Sequence, residues 1–318
     1  MKVTVYSSCF SFFQCFFTSA RTAVACCLTL CLLTASTTHG QSLDSLTSVQ
    51  KRNRQIALGI GFATSYTTGM VLLHNAWYKH DNRSSFHFYN DNSHWKQMDK
   101  AGHFWGAFQQ SRAGVDMLKW AGVPDRKAVI YGSMMGVLLQ TPIEIFDGYG
   151  EEYGASVGDA VANTLGSAAV AAQHLAWGEL RLTPKFSFHT TRFATERLEM
   201  VGDSYLGQML KDYNGQTYWL SVDVSAFLPQ QSKFPAWLNL AAGYGANEMI
   251  TGDPIENRAR GYNAYRQYYL SLDLNLMNIK TRHAFLKKMF YVLSIFKFPA
   301  PALEFNKNQK LVFHPLYY

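Results

Sequence analysis

DKAGHFWGAF, residues 99–108, places Asp99, Lys100 and His103 at the head of an otherwise apolar run. On a helix, Asp99 and His103 stand four apart and share one face, with Gln110 two turns on. Two later stretches repeat the arrangement: TPIEIFDGYGEEYG (141–154) and ASVGDAVANTLGS (155–167). Gln140 and Glu144 fall on one helical face, and Asp147 lies just past its end. Ser156, Asp159, Asn163 and Gly166 follow at i, i+3, i+7 and i+10, a second continuous polar face. An isolated carboxylate among apolar helices costs several kcal/mol, so these groups must pair with one another. Antiparallel packing would bring Asp99 and His103 level with Glu144 and Asp159.

Working outward, the first half of the chain reads as helices. QIALGIGFATSYTTGMVLLHNAW (55–77) holds no acidic or basic residue apart from His74 and follows the basic KRNR; its length reaches across a bilayer, though Gly, Thr and Ser make it only moderately hydrophobic. A polar loop fills 78–98. The second helix runs from Asp99 to Trp120 and stops at AGVP; the third covers Asp125 to Phe146 with a kink expected at Pro142. The fourth runs from Ser156 to Trp177. Gly132 and Gly136 form one GxxxG step, and Gly158, Ala162 and Gly166 form two more, spacing that lets helix backbones approach closely. Whether 55–77, 128–143 and 160–177 lie in lipid is left open by composition.

Four roles remain open for the polar face. It can be a hydrogen-bonded network that fixes helix register. It can hold an acid/base pair, with His103 and either Asp159 or Glu144 as candidate catalytic groups. It can bind a divalent metal through His103, Glu144 and Asp159. It can receive a ligand headgroup. Outside it, His80, His87 and His94 lie with Asp81, Asn90 and Asp91 in a segment of residue types that can bind a metal but that reads as a solvated loop. GYGANEM (243–249) lacks the helix and acidic partner of a dinucleotide site. Ser156 lacks a G-x-S-x-G context. The sequence does not identify a cofactor.

After LTPK (182–185) the periodicity changes. YYLSLDLNL (268–276) alternates leucines with Ser271, Asp273 and Asn275, the pattern of a strand. TYWLSVDVSAF (217–227) and WLNLAAGYGA (237–246) behave alike, and KFPAPALEF and KLVFHPLYY read as extended. Three or four strands are too few for a closed barrel, so an open antiparallel sheet packed on the helices or a membrane surface is expected. A further helix, 281–296, carries Lys287 and Lys288 beside FYVLSIF and reads as an amphipathic interfacial helix.

All five cysteines precede residue 32. Around them Arg21, the apolar TAVACCLTLCLLTAS (22–36) and small residues form an export signal, with cleavage expected before Gln41. The aromatic FSFFQCFF (10–17) makes an uncleaved anchor the alternative, and Ala25-Cys26 offers a lipobox-like pair only in mid-run. A chain starting at Gln41 has no thiol, which excludes disulfides and thiolate metal sites. Only 16% of residues are charged, low enough to imply deep burial or lipid contact. Residues 41–182 balance twelve basic against twelve acidic residues, whereas 183–318 carry 15 against 10. That surplus points to a membrane or an anionic envelope lipid or polymer as partner, with no nucleic acid; a protein partner is not identified. The seven tryptophans fall mostly at element ends, as in an interfacial belt.

DKAGHF, then EIFDGYGEEYGAS, then DAVANTLG resemble, in order, the motifs of the YfiM-like family, a domain of unknown function in periplasmic lipoproteins. The resemblance spans about residues 50–180. KDYNGQTYWLS (211–221), IKTR (279–282) and FKFPAPALEF (296–305) are similar to the extended form of that family in Bacteroidetes-type bacteria. A looser likeness joins VanZ-like membrane proteins, which place D-K-x-x-H-F, a glutamate and D-x-x-x-N-x-x-G on successive helices. That likeness points to Asp99, Lys100, His103, Phe104, Glu144, Asp159, Asn163 and Gly166, and implies a cell-envelope setting without a defined reaction.

The reading is a mainly α protein with a partly β C-terminal region: a signal peptide (1–40), a compact four-helix domain (41–182), and a basic mixed α/β region (183–318). Its expected role is an exported, membrane-associated binding or scaffolding protein of the periplasm or the periplasmic side of the outer membrane. The alternative is an enzyme acting on an envelope lipid or glycan through His103, Glu144 and Asp159. Intact-mass measurement on protein from the native host is expected to give a chain starting at Gln41; a mass that retains Cys26 overturns the cleavage.

Overall fold

A computed structural model describes residues 46–74, 83–151, 154–202 and 204–318. The export signal, His80 and Asp81 lie outside the described residues. Helix α1 (Ser48–Leu73) starts earlier than its apolar run because Thr47 and Gln50 close a capping box around its first turn. Helix α2 (Met98–Trp120) carries the first polar stretch and ends where Gly122 takes a left-handed φ of 78°. Helices α3 (Asp125–Ser133) and α4 (Met135–Asp147) replace the single third helix expected. Asp125–Asp147 is also the one described stretch long and apolar enough, by length and composition, to cross a membrane.

The break in that stretch comes at Met134, not at Pro142, which sits inside α4. Packing explains the position. A Cβ on Gly132 would fall 2.4 Å from the Val115 nitrogen, and one on Gly136 would fall 2.3 Å from the Ala107 oxygen. Both glycines therefore press directly onto the α2 backbone, on either side of the break. Ser111 sits between them, donating to the Ser133 carbonyl at 2.6 Å and accepting from the Gly136 N–H at 3.1 Å.

Helix α5 (Val157–Trp177) starts on the Ser156 side chain, which accepts from the Asp159 N–H, and ends at Gly178 with φ 76°. It approaches α2 closely at Gly166, where a Cβ would stand 2.3 Å from the Phe104 oxygen. Phe108, Val115, Val129 and Val170 form the small apolar core between these helices. The compact bundle is α2 to α5. Helix α1 lies against it at its ends, through Arg54 on the Trp120 ring and carbonyl and through His74 near Phe146, and leaves Val49, Ile56 and Ile60 exposed.

The C-terminal region is a six-stranded antiparallel meander, more than the three or four strands expected. Strand β1 (Leu182–Phe188) starts the sheet at the boundary drawn from composition; it hides from a periodicity search because its last five residues are all buried. Three short helices follow, α6 (Arg192–Thr195), α7 (Leu198–Val201) and α8 (Tyr205–Lys211). Strand β2 (Gln216–Val222) is shorter than TYWLSVDVSAF because Asp223 caps a 3-10 turn over Val224–Phe227. Then come β3 (Leu238–Asn247), α9 (Pro254–Ala259), β4 (Tyr265–Leu274), α10 (Ala284–Leu293), β5 (Ala300–Asn306) and β6 (Lys310–Tyr317).

Strands neighbour one another in chain order, and the sheet curls so strongly that its ends meet across the concave side. The Tyr317 hydroxyl on β6 lies 2.9 Å from the Thr217 hydroxyl on β2, and its ring stacks among Trp219 and Tyr269. The free edge of β1 is partly covered by the chain after α10: Phe186 donates to the Ile295 carbonyl and accepts from the Lys297 N–H. The sheet meets the bundle where Tyr218 and Phe186 pack on Trp105 of α2.

Gly166→Ala is expected to force α2 and α5 apart and to lower stability by about 1–3 kcal/mol, the usual range for overpacking. Gly59→Ala, at an α1 position with nothing within 4 Å, should instead raise stability by up to ~1 kcal/mol through helix propensity. Thermal unfolding of the two variants beside the parent protein checks both signs.

Candidate functional site

Three segments supply the polar groups. The entry to α2 is unusual: Trp95, Lys96 and Gln97 carry φ of 48°, 52° and 64° in succession. Left-handed backbone costs an L-residue roughly 1–2 kcal/mol, so outside contacts must hold the turn. The Trp95 N–H donates to the Gly252 carbonyl, the Tyr244 hydroxyl to the Lys96 carbonyl, and Arg266 to the Gln97 side chain. The sheet region thus sets the angle at which α2 presents Asp99, Lys100 and His103.

Lys100 is the hub. Its ammonium binds Asp91, reaches Asp159 Oδ1 at 2.9 Å and Asp99 Oδ2 at 3.4 Å, and lies 3.5 Å from Ser156 Oγ. Ser156 donates its hydroxyl to Asp91 Oδ1 at 2.6 Å while capping α5 through the Asp159 N–H. His103 lies beside this ion network. Its Nδ1 is 3.2 Å from Asn163 Oδ1 and 3.6 Å from Glu144 Oε1, and its Nε2 is 3.8 Å from Asp99 Oδ1. Glu144 accepts the Ser156 N–H at 3.2 Å, which joins α4 to the start of α5.

The structure therefore gathers Asp99, Lys100, His103, Glu144, Ser156, Asp159 and Asn163. Gly166 contributes by proximity of backbones alone. Asp147 and Gln140 line the neighbouring cavity, and Asp147 adds its charge to the field at Glu144. Three participants went unrecognised in the sequence. Asp91 looked like a residue of a solvated loop; Tyr213, which donates to Asp99 Oδ1 at 2.9 Å, and Tyr218, whose hydroxyl crowds Gly102, come from a distant region. No local pattern marks them. His94 lines the cavity, while His87 contacts Ser84.

A cavity of about 1200 Å³ opens over the cluster. Asp99, His103 and Asp159 form part of its wall, with Tyr213, Tyr218 and Arg197 among the residues facing them. The His103 side chain keeps 16% of its surface exposed and that of Asp99 25%, so solvent reaches both. One ligand atom from each of Asp99, His103 and Asp159 lies within 4.8 Å of the others, close enough to hold a metal ion. Glu144 stands beside that trio and bonds to the α5 backbone instead.

Charge is unbalanced here, and the protonation states show it. Burial pushes the Glu144 carboxyl up to about 7 against the pull of His103, and Asp159 adds to the rise. Burial and then Asp99 raise Asp159 to about 6, against His103 and Lys100. For His103, burial disfavours the charged ring, yet Asp99, Asp159 and Glu144 together hold its pKa above the ordinary value. Lys100 is likewise raised, its three carboxylates outweighing burial. Proton acceptors poised near neutrality inside an accessible cavity meet a common requirement of acid–base chemistry.

Residues 87–174 match the model of the family described as predicted periplasmic lipoprotein (DUF2279), in agreement with the resemblance carried by the three motifs. That span holds α2 to α5 and all the helical cluster residues, and stops short of the sheet. No curated protein and no solved structure matches the chain.

Glu144 and Asp159 take up protons on folding, since each carboxyl is higher in the folded chain than free. Their stabilising contribution is complete below the unfolded carboxylate range and is lost as pH rises through about 6 and about 7. Raised His103 acts in the same direction. The thermal midpoint is therefore expected to fall between about pH 5 and pH 8, and Glu144→Gln should flatten that decline. An equal slope in the variant, measured across the same buffers, assigns the decline to other groups.

Proposed function

We propose that the protein is a membrane-associated binding protein of the cell envelope. Its ligand sits in the cavity over Asp99, His103 and Asp159 and presents a positive centre to them. The observation that carries this reading is the cavity's opening onto a cluster in which Asp91, Asp99, Glu144 and Asp159 face one lysine and one histidine. A cluster that served only to fix helix register would gain nothing from solvent access. Excess negative charge at an accessible wall is relieved by a cation, either a divalent metal or an ammonium group. Tyr213 and Tyr218 add aromatic surface suited to an ammonium. The family's description supports an exported, periplasmic location; placement at the outer membrane belongs to this proposal.

A second reading is favoured by one specific contact. His103 Nδ1 lies 3.6 Å from Glu144 Oε1, and the Glu144 carboxyl titrates at about 7. Such a pair can take a proton from a substrate hydroxyl or water and return it, as an enzyme acting on an envelope lipid or glycan requires. In that case a cation at Asp99, His103 and Asp159 would polarise the reacting oxygen.

Two substitutions separate the readings. Asp159→Ala leaves the buried Lys100 ammonium with Asp91 and Asp99 alone and is expected to cost about 1.5–3 kcal/mol, visible as reduced accumulation in the cell. Asp159→Asn keeps the shape and should accumulate nearly normally. For a binding protein, protein purified from the native envelope should carry a metal or amine ligand, found by elemental analysis and mass spectrometry of extracts. Asp159→Asn should retain less of it. For an enzyme, Asp159→Asn is present at normal abundance and abolishes the cellular phenotype. Stable, fully functional variants with unchanged copurifying material would sink both.

A further inference from the structure

The polarity of the sheet is inverted. On β4, Leu270 and Leu272 are 49% and 44% exposed, while Ser271 and Asp273 between them are 4% and 1% exposed. The same phase runs through the neighbouring strands. Leu220, Ala242, Leu270, Leu303 and Phe313 stand opposite one another in register from β2 to β6, forming an apolar row on the convex side. Tyr244, Tyr268, Phe305 and Leu311 form the next row, whose β2 member, Tyr218, is covered by Trp105 of α2. The concave side holds the charges: Lys185 pairs with Asp273 at 2.6 Å, and Glu304 with His314 at 2.7 Å.

An antiparallel sheet with one face in water turns its apolar residues inward. Sheets that turn them outward and keep polar groups inside are those whose outer solvent is hydrocarbon. Here β1 and β6 remain edges, and an open edge cannot cross a bilayer. The outer face therefore lies on a membrane rather than through it.

The rim supplies the charge. Past the tyrosine row, Lys96, Arg266, Lys307 and Lys310 line a cleft of about 430 Å³ together with Tyr268 and Phe305. Among the described residues none of these four cations has a carboxylate partner. Arg266 bonds to the Tyr244 hydroxyl at 3.1 Å and Lys307 reaches the Asn263 side chain at 3.4 Å, both neutral groups. Four cations at the end of an exposed apolar face match the order of groups in an anionic lipid, phosphate first and acyl chain beyond.

We propose that the convex face of the sheet docks on a membrane of anionic phospholipid, with the Lys96/Arg266/Lys307/Lys310 cleft taking a lipid phosphate. The proposal deepens the membrane-associated reading and rests on it, but not on what the cavity binds. The cleft is formed at the strained turn before α2 and by β4 to β6, away from Asp159.

The test uses the full chain with vesicles of phosphatidylcholine, with and without phosphatidylglycerol. Leu270→Asp with Leu303→Asp changes only exposed positions, so far-ultraviolet circular dichroism should be unaltered, while partitioning to both vesicle types weakens on the order of tenfold. Lys307→Gln with Lys310→Gln should lose on the order of tenfold on anionic vesicles and little on neutral ones. A phospholipid carrying a photoactivatable acyl chain should label peptides of β4, β5 and β6. Labelling confined to residues 1–45 means the N-terminal segment makes the contact, and crosslinks between chains without lipid mean a second copy covers the face. Either result, or unchanged partitioning of the variants, overturns the proposal. Asp159→Asn should bind vesicles normally, which keeps failure of the cavity reading distinct.

Discussion

One ammonium holds the helical region together. Lys100 bonds to Asp91 before α2, to Asp99 beside it on α2, and to Asp159 in the first turn of α5. Its side chain is 14% exposed, so little water shares the load. Removing ions this far from water costs several kcal/mol each, and only multiple close partners offset it. Four groups in mutual contact achieve that, whereas any one alone would not. The same bonds fix where α5 begins, because Ser156 caps the helix with the hydroxyl that also donates to Asp91. Helix start, loop position and the wall of the cavity are therefore consequences of one ion network.

The network needs helices closer than ordinary side chains allow. Gly166 lies against the Phe104 carbonyl and Gly136 against that of Ala107, so α2 contacts α4 and α5 backbone to backbone. Close approach brings Asn163 to 3.2 Å and Glu144 to 3.6 Å from the His103 ring. It also concentrates carboxylates, and the site stays short of positive charge. Glu144 responds by holding its proton to about 7. A cluster optimised for stability would have a second cation there or one carboxylate fewer. That shortfall of positive charge lies at the wall of an open cavity.

Much of the helical half was legible from spacing. Asp99 with His103, Gln140 with Glu144, and Ser156 with Asp159 and Asn163 each declared a shared face, and the small-residue steps declared which faces meet. What stayed hidden was of two kinds. Met134 breaks the third helix for a reason held in α2, since the glycines flanking it must both touch that helix. Asp91, Tyr213 and Tyr218 join the cluster from outside the periodic segments, and Tyr213 is more than a hundred residues from Asp99. Among the strands, β3 and β4 showed their alternation plainly. Strand β1 did not, because it is buried over Lys185–Phe188. Periodicity also could not say which side of β4 faces inward; alternation is symmetric, and only the curl of the sheet around Trp219, Tyr269 and Tyr317 decides it.

That curl links the two halves of the molecule. Burying Lys185, Asp273 and Glu304 beside the aromatic core of the concave side while leaving leucine and phenylalanine outside runs against the usual preference. Fully burying one such apolar side chain is worth ~1.5–3 kcal/mol, so the convex rows forgo a large stabilisation as long as water covers them. The concave side recovers part of it through matched pairs: Lys185 with Asp273, Ser221 with Asp273, Asn239 with Ser221. The same sheet holds the left-handed turn of Trp95 to Gln97 through Tyr244 and Arg266, which sit at the rim of the apolar face. Any contact that orders that rim also steadies the first turn of α2, where Asp99 and Lys100 stand. The turn from Trp95 to Gln97 thus joins the rim of the apolar face to the helix that carries Asp99 and Lys100.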